Sequence, residues 1–160
     1  PCQGGTEGGR SWSEYSMEIR RTFTGRIWER EVGYCRALRA GDHIYVTGCA
    51  PVADDGTIVA PNDGYAQAKR CLEIIQQALR DLGAEMKHVV RTRMFVTDIS
   101  RWKDYGRAHR EFFAEYPPAT SMLEVKALID PQMLIEIEAD AKIGEDSLNI
   151  VFPFAPGVKE

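Results

Sequence analysis

The residues best suited to chemistry are acids set into an apolar strand near the end of the chain. Leu134, Ile135 and Ile137 interleave with Glu136 and Glu138. A strand patterned in this way buries one face and presents its acids on the other. A carboxylate held there can act as general base toward a water molecule, so Glu136 is the candidate for water activation. Its alternative is a sheet-face glutamate paired with a neighbouring Lys or Arg. Glu124, on the face shared by Met122 and Lys126, reads as structural or as a subunit contact rather than catalytic.

Arg36 follows Tyr34 by two residues, which puts both on one face of a strand. It has two readings, a solvated surface arginine or a cation available to an anionic ligand. Cys35 and Cys49 lie in patterned segments, but neither has a neighbour in sequence that would generate a thiolate, so buried, inert thiols are expected. His43, His88 and His109 share no motif, and surface or turn roles are the default for each. Tyr65, Phe112 and Phe113 fit packing between helices and sheet.

The elements that must position these groups can be read from periodicity. Met17 to Phe23 alternates loosely and predicts a first strand, and Trp28 to Val32 reads as a charged connection. Tyr34 to Ala40 predicts a short strand, turned at Gly41-Asp42 into a central strand, His43 to Cys49. Asn62 or Asp63 can cap a helix running to Leu82, where Ala68, Leu72, Ile75 and Leu79 recur at helical spacing and Gly83 stops it. Val89 to Val96 is a strand, and Asp98 or Ser100 caps a second helix ended by Pro117-Pro118. Two strands follow, Met122 to Ala127 and the acidic one, broken by a turn at Asp130-Pro131. The order is β-β-β-α-β-α-β-β. It implies an α/β two-layer sandwich, a mixed sheet of about six strands with two helices on one face. The other face has no helix to cover it and must be polar or buried against other subunits.

The 160 residues suit one domain, and a formal charge of −4 with 28% charged residues argues against a broad basic surface for nucleic acid. No apolar run approaches the roughly 20 residues that span a bilayer. The four cysteines form no CxxC pair and no metal-ligand spacing with the histidines, so no metal site is expected and a reducing cytoplasm is the expected compartment. Residues 1–16 are rich in Gly and Ser and read as an extension, residues 17–143 as the domain, and residues 144–160 as a tail. With Ile150, Val151, Phe152 and Phe154, the tail is apolar enough to dock on a sheet edge or a neighbouring subunit.

Four segments, in order, resemble the Rid/YjgF family of enamine/imine deaminases, also known as endoribonuclease L-PSP, over Val32 to Ile143. Gly33-Tyr34-Cys35-Arg36-Ala37 is similar to the family's Gly-Pro-Tyr-Ser-Gln-Ala segment without its proline. Thr47-Gly48-Cys49 stands at a Ser-Gly-Gln type turn. Met94-Phe95-Val96-Thr97-Asp98 matches a Val-Phe-Val-x-Asp strand end, and Glu136-x-Glu138-Ala139 the last strand. The resemblance implies the Rid, or chorismate-mutase-like, fold and a homotrimer whose sheets enclose a central core. Small-molecule clefts then lie between subunits, and the chemistry needs no cofactor. It also implies that Tyr34, Arg36, Thr47, Cys49, Phe95 and residue 120 line the cleft, with Glu136 positioning the water that attacks a C=N carbon.

The family places an arginine after Pro-Ala to grip the substrate carboxylate; this chain has Thr120. A hydroxyl carries no charge and one donor, whereas guanidinium binds a carboxylate through two. Efficient deamination of 2-aminoacrylate is therefore not expected. Two functions stay open: hydrolysis of an imine, enamine or related metabolite, or non-catalytic binding or sensing of a small ligand. Ribonuclease action, attributed to some members, fits worst, because the chain is acidic and has no His/Lys cluster.

Overall fold

The computed structural model describes residues 18–144, so the expectations for residues 1–16 and for the tail beyond Gly144 lie outside the described residues. The first strand, β1, spans Ile19–Thr22. A short helix, α1, follows at Ile27–Val32, where a connection was expected. Six residues are too few to show a helical period, and local side-chain bonds hold the turn. The Glu29 carboxylate accepts from Thr24 N at 3.0 Å and Gly25 N at 3.1 Å, which fixes the helix entry. Gly33 ends it with φ 84°, a left-handed conformation natural to glycine, while the amides of Gly33 and Tyr34 both return to the Glu29 carbonyl.

The strand expected at Tyr34 to Ala40 is ordered as β2 over Ala37–Ala40 only. It turns through Gly41, φ 61°, into β3, His43–Cys49. Antiparallel pairing of Ala40 with His43 confirms the two-residue hairpin.

The long helix α2 spans Gly64–Asp81, capped by Asp63, whose side chain accepts from Ala66 N. The strand β4, Val89–Val96, and the helix α3, Trp102–Phe113, follow. Asp98 caps the short 3-10 turn that leads into α3, accepting from Ser100 N. The last strands are β5, Ala119–Glu124, and β6, Ile135–Lys142.

The sheet has six strands in the order β1-β2-β3-β6-β4-β5. The two strands of the acidic region are therefore not partners. β5 runs parallel to β4 after the α3 crossover, while β6 is inserted antiparallel between β3 and β4. The reason is the crossover: β4, α3 and β5 form a β-α-β unit, whose parallel strands lie side by side and send the next strand across β4. β5 also starts and ends three residues earlier than the alternation suggested, because Val125 has left the ladder to form an isolated bond to the Val96 carbonyl.

The core lies between the sheet and α2 and α3. Ile44, Val46, Met94, Val96, Ile135, Ile137, Ala139 and Ala141 point from the sheet toward Ala68, Leu72, Ile75, Leu79, Tyr105 and Phe113 on the helices, all buried. The observed layers are those predicted, an α/β sandwich with two helices on one sheet face. Among the described residues no helix is long and apolar enough to cross a membrane.

One buried polar side chain ties the layers together. Gln67 is fully buried on α2, accepts from Leu134 N at 2.7 Å, and donates to the carbonyls of Gln132 and Val59. The backbone that enters β6 is thereby fixed two residues before Glu136.

Candidate functional site

The pleat of β6 sorts its side chains cleanly. Ile135, Ile137, Ala139 and Ala141 are buried toward the helices, so Glu136, Glu138 and Asp140 emerge on the open face. Opposite them on β4, Phe95 pairs with Glu136, Arg93 with Glu138 and Arg91 with Asp140. Arg93 bridges two of the acids, at 3.4 Å from Glu138 and 3.0 Å from Asp140. Arg91 approaches Asp140 at 4.0 Å.

Glu136 is the exception. Across from it stands an aromatic ring, and its carboxylate has no hydrogen bond or ion pair among the described residues. Burial pushes its pKa above the ordinary glutamate range, the neighbouring Glu138 charge adds to the rise, and Arg36 opposes it. The space it needs comes from β3. The β3–β6 register shifts between Val46 and Cys49, a bulge at Thr47-Gly48. A Cβ on Gly48 would fall 2.8 Å from the Glu136 carboxyl carbon and closer still to its oxygen. Only glycine leaves that carboxylate in place.

Arg36 is not a solvated surface residue. It is 7% exposed, with its Nε 3.7 Å from Glu29 of α1 and its guanidinium 5.7 Å from the Tyr34 ring centre. Its Nη1 donates to the Gly48 carbonyl at 2.9 Å and reaches Cys49 Sγ at 3.5 Å. Burial works against the charge, but Cys49, Tyr34 and Glu29 outweigh it and hold the guanidinium above its ordinary pKa. The surface expectation failed because it depended on α1, the one helix that periodicity could not reveal.

Cys49 is fully buried, and burial pushes its thiol to about 11 while Arg36 pulls the other way. It is a protonated packing residue at neutral pH, as expected. Thr47 Oγ1 donates to the Cys35 carbonyl at 2.8 Å. Glu124 accepts from Ile99 N at 2.8 Å and so caps the turn before α3, a structural role.

Thr120 lies elsewhere. It pairs with Thr92 on β4 and shares that residue's helix-facing side of the sheet, opposite to Glu136. Its hydroxyl is 2.9 Å from Thr92 Oγ1, 3.4 Å from His109 Nε2 and 3.2 Å from the Pro118 carbonyl. His109 was missed by sequence reasoning. It packs on Phe113 with ring centres 4.5 Å apart and lies 2.9 Å from Thr92 Oγ1, and burial lowers its pKa to about 4. A neutral imidazole bound to two threonines does not resemble any motif, because strand register pairs the threonines and the packing of α3 on the sheet brings His109 to them.

His43 pairs with Asp42 at 2.7 Å, and His88 Nδ1 accepts from Glu85 N at 2.9 Å, both local turn roles. Among the described residues no group of three His, Cys, Asp or Glu side chains is placed to hold a metal ion. A broad groove of about 910 Å³ between α2 and the end of α3, lined by Arg80, Met86 and Tyr116, shares no residue with the Glu136 cluster.

The acid strand, the glycine bulge and the β4 strand end all lie within the stretch that matches a known family. The family profile described as Endoribonuclease L-PSP covers residues 27–143. The chain belongs to this family. It is 32% identical to SCO2049 of Streptomyces coelicolor over 129 residues, 81% of this chain and 96% of that one. It is likewise 32% identical to the 3-aminoacrylate deaminase RutC of Acinetobacter baylyi over 113 residues, 69% of this chain and 86% of the relative. Among solved structures, Rv2704 of Mycobacterium tuberculosis, a member of the YjgF/YER057c/UK114 family, superposes with a TM-score of 0.72 at 42% identity. That match covers 79% of this chain and all of the other. The YjgF fold of this endoribonuclease L-PSP family member is thus supported by sequence and by shape.

Proposed function

We propose that this family member hydrolyses the C=N bond of a small imine, reached directly or through its enamine tautomer, with Glu136 as the water-activating base. The observation that carries the reading is the unpartnered, half-buried carboxylate of Glu136, raised in pKa and facing Phe95 across the sheet. Water adds to the imine carbon as Glu136 takes its proton. The resulting carbinolamine then takes a proton onto nitrogen and expels ammonia, leaving a carbonyl. A carboxylate kept from hydrogen bonds and made more basic by burial suits that exchange better than its salt-bridged neighbours Glu138 and Asp140. A relative of this chain is a 3-aminoacrylate deaminase, which supports the reaction class.

The working unit is a homotrimer, and the small-molecule cleft lies where the open sheet face meets a neighbouring subunit. Tyr34, Thr47 and Phe95 line it beside Glu136. Thr120 supplies no guanidinium, and its hydroxyl is occupied by Thr92, His109 and Pro118, so substrates gripped by a carboxylate handle are poor ones. The same observation supports a second reading, a non-catalytic trimer that binds or senses a small metabolite.

Ammonia release from freshly generated 2-aminoacrylate and from neutral imines separates these readings. The proposal expects turnover of neutral imines and little of 2-aminoacrylate. High activity on 2-aminoacrylate would overturn the role given to Thr120. No turnover of any C=N substrate, with a ligand bound in the cleft, would establish the binder instead.

A further inference from the structure

We propose that Arg36 is a positioning residue, clamping the Thr47-Gly48 bulge of β3 beneath Glu136 through its bond to the Gly48 carbonyl. The inference deepens the reading of Glu136 as base and rests on it for its functional meaning, though not for its test.

The geometry separates what Arg36 holds from what it merely neighbours. Glu29 lies 3.7 Å from Arg36 Nε, beyond hydrogen-bond distance. The Glu29 carboxylate is already satisfied by Thr24 N, Thr24 Oγ1 at 2.8 Å and Gly25 N. Arg36 Nε is itself buried without a hydrogen-bond partner. The short, directed bond of this guanidinium is the one from Nη1 to the Gly48 carbonyl, 2.9 Å. Gly48 is the residue against which the Glu136 carboxylate rests so closely that a Cβ would overlap it.

A bulge takes backbone out of the ladder and leaves carbonyls without their strand partner. Arg36 supplies that partner with a charged donor, a stronger bond than a neutral one. Backbone bonds anchor Arg36 on both sides, its own amide to the Thr22 carbonyl and its carbonyl to Thr47 N. The clamp therefore joins the β1–β2 end of the sheet to the bulge and sets the floor under the candidate base. It also places a fixed positive charge near Glu136, against the negative charge of Glu138 on the same strand.

The charged and titratable groups around Glu136 are Glu138 and Asp140 on β6, Arg93 on β4, Cys49 on β3, and Arg36 and Tyr34 before β2. Glu138 and Asp140 are bridged by Arg93, and Cys49 stays protonated. Arg36 is left as the cation that lowers the carboxylate pKa.

Carbon-13 NMR titration of the Glu136 carboxyl in the full chain, assigned with Glu136→Gln, reads the clamp directly. In Arg36→Met the Glu136 midpoint should rise by about one pH unit, the size of effect a nearby opposite charge produces. The Gly48 backbone resonances should shift with it. Arg36→Lys, which keeps the charge but loses the planar donor fork, should restore most of the midpoint while leaving Gly48 shifted. If Arg36→Met fails to fold, the Gly48 shift in Arg36→Lys carries the test. A Glu136 midpoint unmoved in a folded Arg36→Met, or unchanged Gly48 resonances in Arg36→Lys, would overturn the clamp.

The two claims fail separately. Loss of ammonia release in Glu136→Gln, together with an unmoved Glu136 midpoint in Arg36→Met, refutes the clamp and keeps the hydrolase. A moved titration without turnover of any C=N substrate keeps the clamp and refutes the hydrolase.

Discussion

Glu136 differs from the other acids of β6 in having no cation across from it, and that difference has a measurable cost. Its pKa is raised by burial, with Glu138 adding, so the folded state favours the protonated form relative to the unfolded chain. Above both pKa values the group is ionised in both states and the fold carries the full penalty; below both, the penalty vanishes. Glu136→Gln should therefore unfold at a higher temperature than the wild type near pH 7, and the gap should close toward pH 3. His109 has the opposite arrangement. It is held neutral, with a pKa near 4 against an ordinary 6.5, by burial. The stability it lends is complete above about pH 6.5 and lost as pH falls through 4, amounting to roughly 3 kcal/mol at most. Urea melts of His109→Gln should depend less on pH across that window than wild-type melts. Equal pH dependence would show that the imidazole titrates freely. Neither residue's state was legible in the sequence, since Glu138 is as well patterned as Glu136 and His109 belongs to no motif.

At the scale of elements, the site depends on how β3 and β6 are held. Gly48→Ala places a methyl group where the Glu136 carboxylate rests, so one of the two must move. The carboxylate is the free end of a flexible side chain, so we expect it to swing aside at about 1 kcal/mol or less in urea unfolding, and kcat/KM to fall because the candidate base has moved. Gln67→Leu should cost more, about 2–4 kcal/mol, because Leu134 N and the carbonyls of Gln132 and Val59 lose their partner inside the protein. α2 and β4 were legible almost to the residue, because a cap at Asp63 and the alternation of Val89 to Val96 each state one structure strongly. The failures were α1, too short to show a period, β2, which starts only at Ala37, and β5, where alternation continued past the point at which the backbone leaves the sheet. Periodicity records which side a residue faces, and not whether a partner strand is still present.

For the whole molecule, the open sheet face is the unresolved surface of a single chain. It carries the Arg93–Glu138–Asp140 ladder together with Tyr45 and Leu123, each about half exposed. A homotrimer would cover it, and light scattering should then return three times the chain mass of 18.0 kDa. Apart from α1, the order of strands and helices and the helical layer were legible from pattern, and the last strand's two glutamates with them. Which acid stands free was not, because that depends on β6 lying between β3 and β4, a topological fact that no local pattern contains. The same holds for Thr120, placed by register beside Thr92, and by the packing of α3 beside His109, on the side away from Glu136.

The most direct test of the account is ammonia release from one neutral imine, measured side by side for wild type and Glu136→Gln at pH 7. The variant should fold, bind, and lose at least roughly 100-fold in kcat/KM, the low end of what a positioned general base contributes. A Glu136→Gln protein that releases ammonia as fast as the wild type would contradict it.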